Sequence, residues 1–230
     1  MSFDRINTML FEDCPQDPSL TDPLPESPLP TFERWIEEAE RGPAQPNPQS
    51  ICVATVDPDG RASARMVLCR GFAADPGYIV FYTNRASRKG DALRAGTYAA
   101  VVFHWDTLAR QVRIEGPVLP SPDAESDAYF AQRPRAGQIS AWASDQSMPI
   151  DSRVALMEKL RAAEDRFDAR AGSPVPRPPH WGGYRIYIEA MELWVGSAGR
   201  AHDRGLWTRR LSRDESGYRG GPWQVVRLQP

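Results

Sequence analysis

Three cations crowd into residues 85–89 of the stretch YTNRASRKG: Arg85, Arg88 and Lys89 follow directly on the apolar run YIVF and the pair Tyr82-Thr83. Ser87 lies where that strand-like run gives way to SRKGDALRA, a segment with helical texture. A helix start offers unpaired N–H groups and a partial positive charge, so a serine, an arginine and a lysine at that place suit a phosphate. Arg65, on the second strand of a preceding hairpin, adds a cation if that strand lies beside the one ending at Thr83. Downstream, Gln111 stands at a strand start in RQVRIEG, and DQSMPI offers Gln146 and Ser147. Trp194, Arg200, His202, Asp203 and Arg204 then fall within eleven residues. No Ser-His-Asp order or metal-ligand spacing competes with these groups, and GSAGRA lacks the glycines and the strand-to-helix setting of a dinucleotide fingerprint.

The whole chain makes that cluster a local matter. With 230 residues, 41% hydrophobic and 25% charged, the composition is that of a globular protein with a real core. A formal net charge of -2 gives no general attraction to nucleic acid or anionic membrane, and neither is expected as a partner. No apolar run approaches the ~20 residues of a membrane helix, and the N-terminus lacks a basic flank with an apolar signal core, so a cytoplasmic protein is expected. Cys14, Cys52 and Cys69 show no CxxC spacing and have three histidines to team with, which argues against a metal site. Cys52 and Cys69 lie inside apolar runs and read as buried thiols.

Residues 1–45 form a proline-rich arm, expected to be loosely ordered apart from one short amphipathic helix in TFERWIEEAERG, with Thr31 as N-cap and Gly42 at its end. From residue 46 to 230 a single domain is expected. ICVATV, the turn DPDG and ASARMVLCR read as a hairpin over residues 51–70, and YIVFYT, YAAVVFHW and QVRIEGPV add three strands. Short connections favour an antiparallel barrel or sandwich. SPDAESDAYFAQR predicts a helix with Ser121 as N-cap and Pro122 first, and DSRVALMEKLRAAEDRFDARAG predicts another, with Val154, Met157, Leu160 and Phe167 on one face and a stop at Gly172. GYRIYIEAMELWVG and GPWQVVRLQP return to strand texture.

The motifs RMVLCR, FYTNRASRKG, LARQVRIEG, YFAQRPRAGQISAWASDQS, RPPHWGGYRI, ELWVG, RAHDR and RLQP resemble, in order and spacing, those of the pyridoxine (pyridoxamine) 5'-phosphate oxidase family, from about Pro46 to the end. The resemblance implies a mainly β, α+β fold, the FMN-binding split β-barrel of antiparallel Greek-key type, working as a homodimer with FMN at the subunit interface. Arg65, Met66, Val67, Leu68, Tyr82, Thr83, Arg88, Lys89 and Gln111 would line the FMN site, completed at least partly from the other subunit by Gln146, Ser147, Trp194 and Arg204. The family's substrate positions fall on Arg70, Tyr129, Arg133, Gly137, Arg200 and His202, the last two as the catalytic pair gripping substrate over the flavin.

Two of those positions depart from the family pattern: Arg70 stands where lysine is usual and Gly137 where serine is, while Val195 and Ala201 replace glutamine and leucine nearby. Arginine keeps the charge on a wider planar fork, and glycine deletes a hydroxyl donor. The resemblance therefore implies an FMN-dependent oxidase passing electrons from pyridoxine or pyridoxamine 5'-phosphate to O2. The alternative is the family's phenazine-biosynthesis branch, which aromatises a reduced phenazine carboxylate, and a non-catalytic flavin-binding module is the third reading.

Overall fold

Alternation of inward and outward residues along short strands builds the barrel wall. In this computed structural model, which describes residues 19–42, 46–95, 98–168 and 174–230, β1 (Ser50–Val56) and β2 (Ala62–Ala73) form the expected hairpin, with Val53 opposite Arg65. The Asp57 N–H bonds the Arg61 carbonyl at 2.8 Å, and Gly60 supplies the positive φ of 82° that the turn demands. Strands β3 (Tyr78–Asn84), β4 (Tyr98–Trp105) and β5 (Arg110–Pro120) follow. The strand texture of GYRIYIEAMELWVG resolves into two strands, β6 (Trp181–Tyr187) and β7 (Ala190–Val195).

Strand β5 explains how the barrel both closes and splits. Its first half, Arg110 to Glu115, pairs with β7, whereas Val118 to Pro120 pair with β6. Strands β5, β4, β1, β2, β3 and β6 thus close a six-stranded antiparallel barrel, and β7 leads the sheet outward to β8 (Asp203–Thr208) and a C-terminal strand. A two-stranded hairpin, β9 (Leu211–Asp214) with β10 (Gly217–Gly220), precedes that last strand, β11 (Gln224–Leu228). Ile51, Val53, Phe81, Val101, Phe103, Val112, Ile114 and Ile186 fill the interior. Burying each such side chain stabilises by roughly 1.5–3 kcal/mol.

The described part of the arm, residues 19–42, is less loose than its prolines suggest. Helix α1 (Leu29–Arg41) buries Phe32, Trp35 and Ala39 against the barrel, and Phe32 meets the rings of Phe72 and Phe103 edge-on at 5.0 and 5.2 Å. It starts two residues before Thr31, because Pro30 sits in the first turn, where a helix needs no N–H; Gly42 ends it as expected. Leu20 is also buried, its N–H bonded to Asp203 Oδ2 at 2.8 Å.

Helix α2 (Arg88–Ala95) fills the β3–β4 connection. A second layer covers β6: α3 (Asp123–Ala131), α4 (Arg135–Ala143) and α5 (Arg153–Asp168) enclose Phe130, Ile139, Ala143, Ala163 and Trp181. Ser121 does not cap α3. Its N–H still bonds the Gly183 carbonyl at 2.9 Å, so the chain stays extended through it and Pro122 takes the flanking place. On α5, Leu160 and Phe167 pack inward, but Val154 and Met157 are exposed. Cys69 is buried and Cys52 only partly so; Cys14 and Gly172 lie outside the described residues.

Candidate cofactor and substrate site

Outward-facing residues of β2 begin the site. By the period of two, Met66, Leu68 and Arg70 share the face turned away from the core, and Met66 and Leu68 remain 63% and 39% exposed. With Val67, Tyr82, Thr83 and Asn84 of β3, Lys89 of α2, Tyr129, Arg133, Ser140, Ser144, Gln146 and Trp181, they line a cavity of about 440 Å³.

Lys89 is the buried cation of that cavity. The Ser87 hydroxyl donates to the Asn84 carbonyl at 2.7 Å and accepts from the Gly90 N–H at 3.4 Å, which fixes the start of α2 and turns Lys89 inward. Lys89 Nζ donates to Ser87 Oγ at 3.1 Å and to Gln146 Oε1, and Thr83 Oγ1 donates to that same Gln146 oxygen at 3.2 Å. All its partners are neutral. Burial first, and the Arg65 guanidinium second, lower its pKa from 10.5 to about 8. Arg65 itself is pinned along the hairpin by Val53 O at 3.0 Å, Thr55 Oγ1 at 2.9 Å and Ser63 Oγ at 2.6 Å. Arg88 behaves differently: it is mostly exposed, is paired with Asp57 at 2.6 Å and does not line the cavity.

A second cationic group belongs to the same cavity. Arg70 donates to Gln49 Oε1 at 2.6 Å, and Arg133 donates to the Gly137 carbonyl at 3.0 Å while lying 4.7 Å over the Trp181 ring. Burial, and then the neighbouring Arg70, hold the Arg133 pKa below its usual value. A Cβ at Gly137 would meet Arg133 Nη2 at 3.1 Å, so the glycine gives that guanidinium room to fold back. The wall beside it is aromatic: Tyr82 lies nearly parallel to Tyr129 and Trp181, with centroids 4.1 and 5.4 Å away. Among the described residues no carboxylate pairs with Arg70, Arg133 or Lys89.

The remaining predicted residues gather elsewhere. Register sets Gln111 of β5 opposite Trp194 of β7, and Trp194 opposite Arg204 of β8. The His202 ring lies 4.6 Å from Trp194, and its Nδ1 accepts from the Ser197 N–H at 3.2 Å. Burial, then Arg200 and Arg204, lower the His202 pKa, so the neutral ring is favoured. Arg204 donates to Glu192 at 2.8 Å and to the Gln229 carbonyl at 2.9 Å. None of these residues, nor Arg200 or Ser147, lines the first cavity. Arg200 follows Gly199 in a tight turn, with φ of 63° and 68° respectively, and so does not share an extended segment with His202 as expected. Ser147 follows Gln146 at a φ of 76°, in a turn closed by Met148 N–H to Asp145 O at 3.0 Å.

Sequence reasoning passed over several contributors. Trp181 stacks in the aromatic wall, and the second glycine of WGGY is a signal: a Cβ at Gly183 would stand 2.8 Å from the Tyr82 ring and 2.5 Å from Ser121 Oγ. Glu192 is a carboxylate buried between Arg113 and Arg204, which the motif ELWVG alone does not signal. Among the described residues there is no group of three or more His, Cys, Asp or Glu suited to a metal ion, and no helix long and apolar enough to cross a membrane.

Two family profiles match most of the chain. One, pyridoxamine 5'-phosphate oxidase, matches residues 38–165, and the other, the pyridoxine 5'-phosphate oxidase C-terminal dimerisation region, matches residues 181–230. The chain belongs to the pyridoxamine 5'-phosphate oxidase family. A pyridoxine/pyridoxamine 5'-phosphate oxidase of Rubrobacter xylanophilus is 48% identical over 204 residues, 88% of this chain and 87% of that one. Another, from Gluconobacter oxydans, is 44% identical over 208 residues, 90% and 96% of the two chains. Among solved structures, PhzG from Burkholderia lata in complex with tetrahydrophenazine-1-carboxylic acid superposes with a TM-score of 0.77 at 29% identity, covering 90% of this chain and 94% of that one. Family membership thus marks the chain as an oxidoreductase with a split-barrel fold. Lys89, Arg70 and Arg133 fall in the first matched segment of this oxidase-family chain, whereas Trp194, Arg200, His202 and Arg204 fall in the dimerisation region.

Proposed function

We propose that the protein is a cytoplasmic, homodimeric, FMN-dependent oxidase that converts pyridoxine or pyridoxamine 5'-phosphate to pyridoxal 5'-phosphate. The observation that carries this reading is that one cavity holds two separate cationic groups without carboxylate partners. Lys89 is influenced by Arg65, and Arg133 by Arg70. One group suits the phosphate of a cofactor and the other the phosphate of a substrate, each charge-assisted hydrogen bond contributing roughly 1.5–3 kcal/mol. The donor set fits FMN: the buried ammonium of Lys89 has only neutral oxygens around it, and Met66, Val67, Leu68, Tyr82 and Thr83 offer a largely apolar wall.

When bound, FMN supplies the redox chemistry, accepting hydride and returning the electron pair to dioxygen with release of hydrogen peroxide. The chain's own work is placement. Lys89, Arg65 and Gln146 hold the cofactor's phosphate end, with Arg88 at its margin, and Arg70, Tyr129 and Arg133 hold the substrate's phosphate. Gln111, Trp194 and Arg204, with Ser147, complete the flavin site across the dimer, and Arg200 with His202 close over the substrate from the partner subunit. His202 accepts at Nδ1 from Ser197, which in the neutral ring leaves its proton on Nε2.

Arg70 and Gly137 support a second reading, oxidation of a reduced phenazine carboxylate, which the likeness to PhzG also favours. Anaerobic mixing with pyridoxamine 5'-phosphate, followed by flavin absorbance, separates the cases. Bleaching is expected. Bleaching by a dihydrophenazine carboxylate alone would transfer the assignment to the second reading, and none with either substrate would leave a binding module.

A further inference from the structure

Arg70 is aimed by a neutral side chain whose own orientation is locked. Gln49 Oε1 accepts from Arg70 Nη1 at 2.6 Å, while Gln49 Nε2 donates to Glu40 Oε1 at 2.7 Å. Only the NH2 end of an amide can donate to a carboxylate, so the bond to Glu40 turns the carbonyl oxygen toward Arg70. The backbone leaves Gln49 no room to drift. Its carbonyl accepts the Cys69 N–H at 2.8 Å, the Trp105 indole donates to Pro48 O at 2.8 Å, and Ser50 opens the β1–β2 ladder opposite Leu68.

Other arginines of the chain are spent differently. Arg88, Arg185 and Arg204 pair with Asp57, Glu125 and Glu192 at 2.6, 2.6 and 2.8 Å. A carboxylate orients an arginine but cancels its charge toward a ligand, whereas an amide oxygen orients it and leaves the charge whole. Arg70 also lines a second, smaller cavity of about 190 Å³, with Ile36, Phe72 and Phe103. Without the tether the guanidinium has space to fall back there, away from Arg133.

We propose that Gln49, locked by Glu40, is a positioning residue that sets Arg70 as an anion-binding arm of the substrate cavity and thereby favours a dianionic phosphate group over a singly charged one. This rests on the reading of Arg70 and Arg133 as the substrate-phosphate site. It makes α1, through Glu40, part of substrate selection, and it accounts for arginine where the family has lysine: a fork can be tied at Nη1 and still present Nε and Nη2 to the ligand.

The test uses FMN-loaded protein, so that the cofactor's phosphate site is filled, and inorganic phosphate as probe, titrated by calorimetry. Q49E places a carboxylate against Arg70 and should weaken phosphate binding roughly tenfold, with Q49A intermediate, and FMN affinity unchanged. In an R70A background Q49E should have no further effect. KM for pyridoxamine 5'-phosphate should rise by the same factor with kcat held within about twofold, and KM for unphosphorylated pyridoxamine should stay put. Wild-type phosphate affinity in Q49E, an equal loss in the R70A background, or no phosphate binding by wild-type protein would each overturn the inference. Phosphate binding that obeys this cycle in a protein that pyridoxamine 5'-phosphate fails to bleach would overturn the proposed reaction and leave Gln49's role standing.

Discussion

Burial lowers the Lys89 pKa from 10.5 to about 8, with Arg65 adding to the shift, and two opposite pH effects follow. For folding, the unfolded chain binds more protons than the folded one between pH 8 and 10.5, so stability rises across that window and the cost of the buried ammonium is fully present below it. Lys89→Met should therefore raise the melting temperature of the flavin-free protein at pH 7 by a few degrees, about 1 kcal/mol. For binding, a phosphate needs the charged form, so flavin affinity should fall above pH 8, approaching roughly tenfold per pH unit, while Lys89→Met binds weakly at every pH. Fluorescence titration of flavin against pH checks both, and a flat wild-type profile would count against Lys89 as the phosphate ligand. Arg88→Ala should lose far less, because Arg88 is exposed and already committed to Asp57. At the substrate end, Gly137→Ser would press a Cβ to 3.1 Å from Arg133 Nη2. Combined with Arg70→Lys, which forfeits the fork tied by Gln49, it should lower kcat/KM on pyridoxamine 5'-phosphate roughly fivefold. A rise would mean that the native pair serves a different anion. At this scale the ordered motifs group Lys89, Tyr82 and Thr83, and the structure adds Gln146 of the same chain, which the resemblance had set among residues coming at least partly from the other subunit. Gln49 was not, because a neutral amide at the margin of the proline-rich arm carries no signal until its register beside Cys69 is known.

Strand β6 shows how an element is shaped by what must pass it. Gly183 lets the Tyr82 ring and Ser121 pack directly on the backbone, at 2.8 and 2.5 Å from where a Cβ would stand. Gly183→Ala should destabilise the fold by roughly 1–3 kcal/mol and weaken flavin binding as well, since Tyr82 and Thr83 would shift together. Denaturant melts of the flavin-free protein and a flavin titration separate the two losses, and a variant with wild-type values in both would refute this role for the glycine. Period-two alternation, apolar runs closed by turn residues and the DPDG turn make β1 to β5 readable in the sequence alone. Strand β8 escaped because HDRGLWT opens with charged and polar residues; it is a strand through its pairing with β7 and β11, not through propensity. Thr31 and Ser121 do not cap their helices, because Pro30 and Pro122 mark a helix start only to within a turn; at Ser121 the pairing with Gly183 decides the residue.

One chain carries its candidate site residues in two separate groups. Lys89, Arg65, Arg70 and Arg133 surround or support the cavity, while Trp194, His202 and Arg204 are grouped on β7, the loop after it and β8, within the matched dimerisation region. No sequence motif states which copy supplies which residue; that depends on how two barrels meet. If each site draws its two groups from different subunits, defects in different groups should complement. Lys89→Ala spoils the first group and Arg204→Ala the second, so each homodimer of a single variant has two defective sites. In a mixed dimer, the Arg204→Ala chain contributes an intact first group and the Lys89→Ala chain an intact second group, which restores one site and leaves its twin doubly damaged. Random pairing on co-refolding then gives heterodimers in about half of the population and intact sites at about a quarter of the total, by the two-fold symmetry of the assembly. Bound flavin and oxidase turnover should both recover to about that fraction, although neither variant alone supports them. If the two groups instead act within one chain, every chain in the mixture carries a defect and no recovery occurs. The recovered fraction therefore tests the shared site separately from the identity of the substrate.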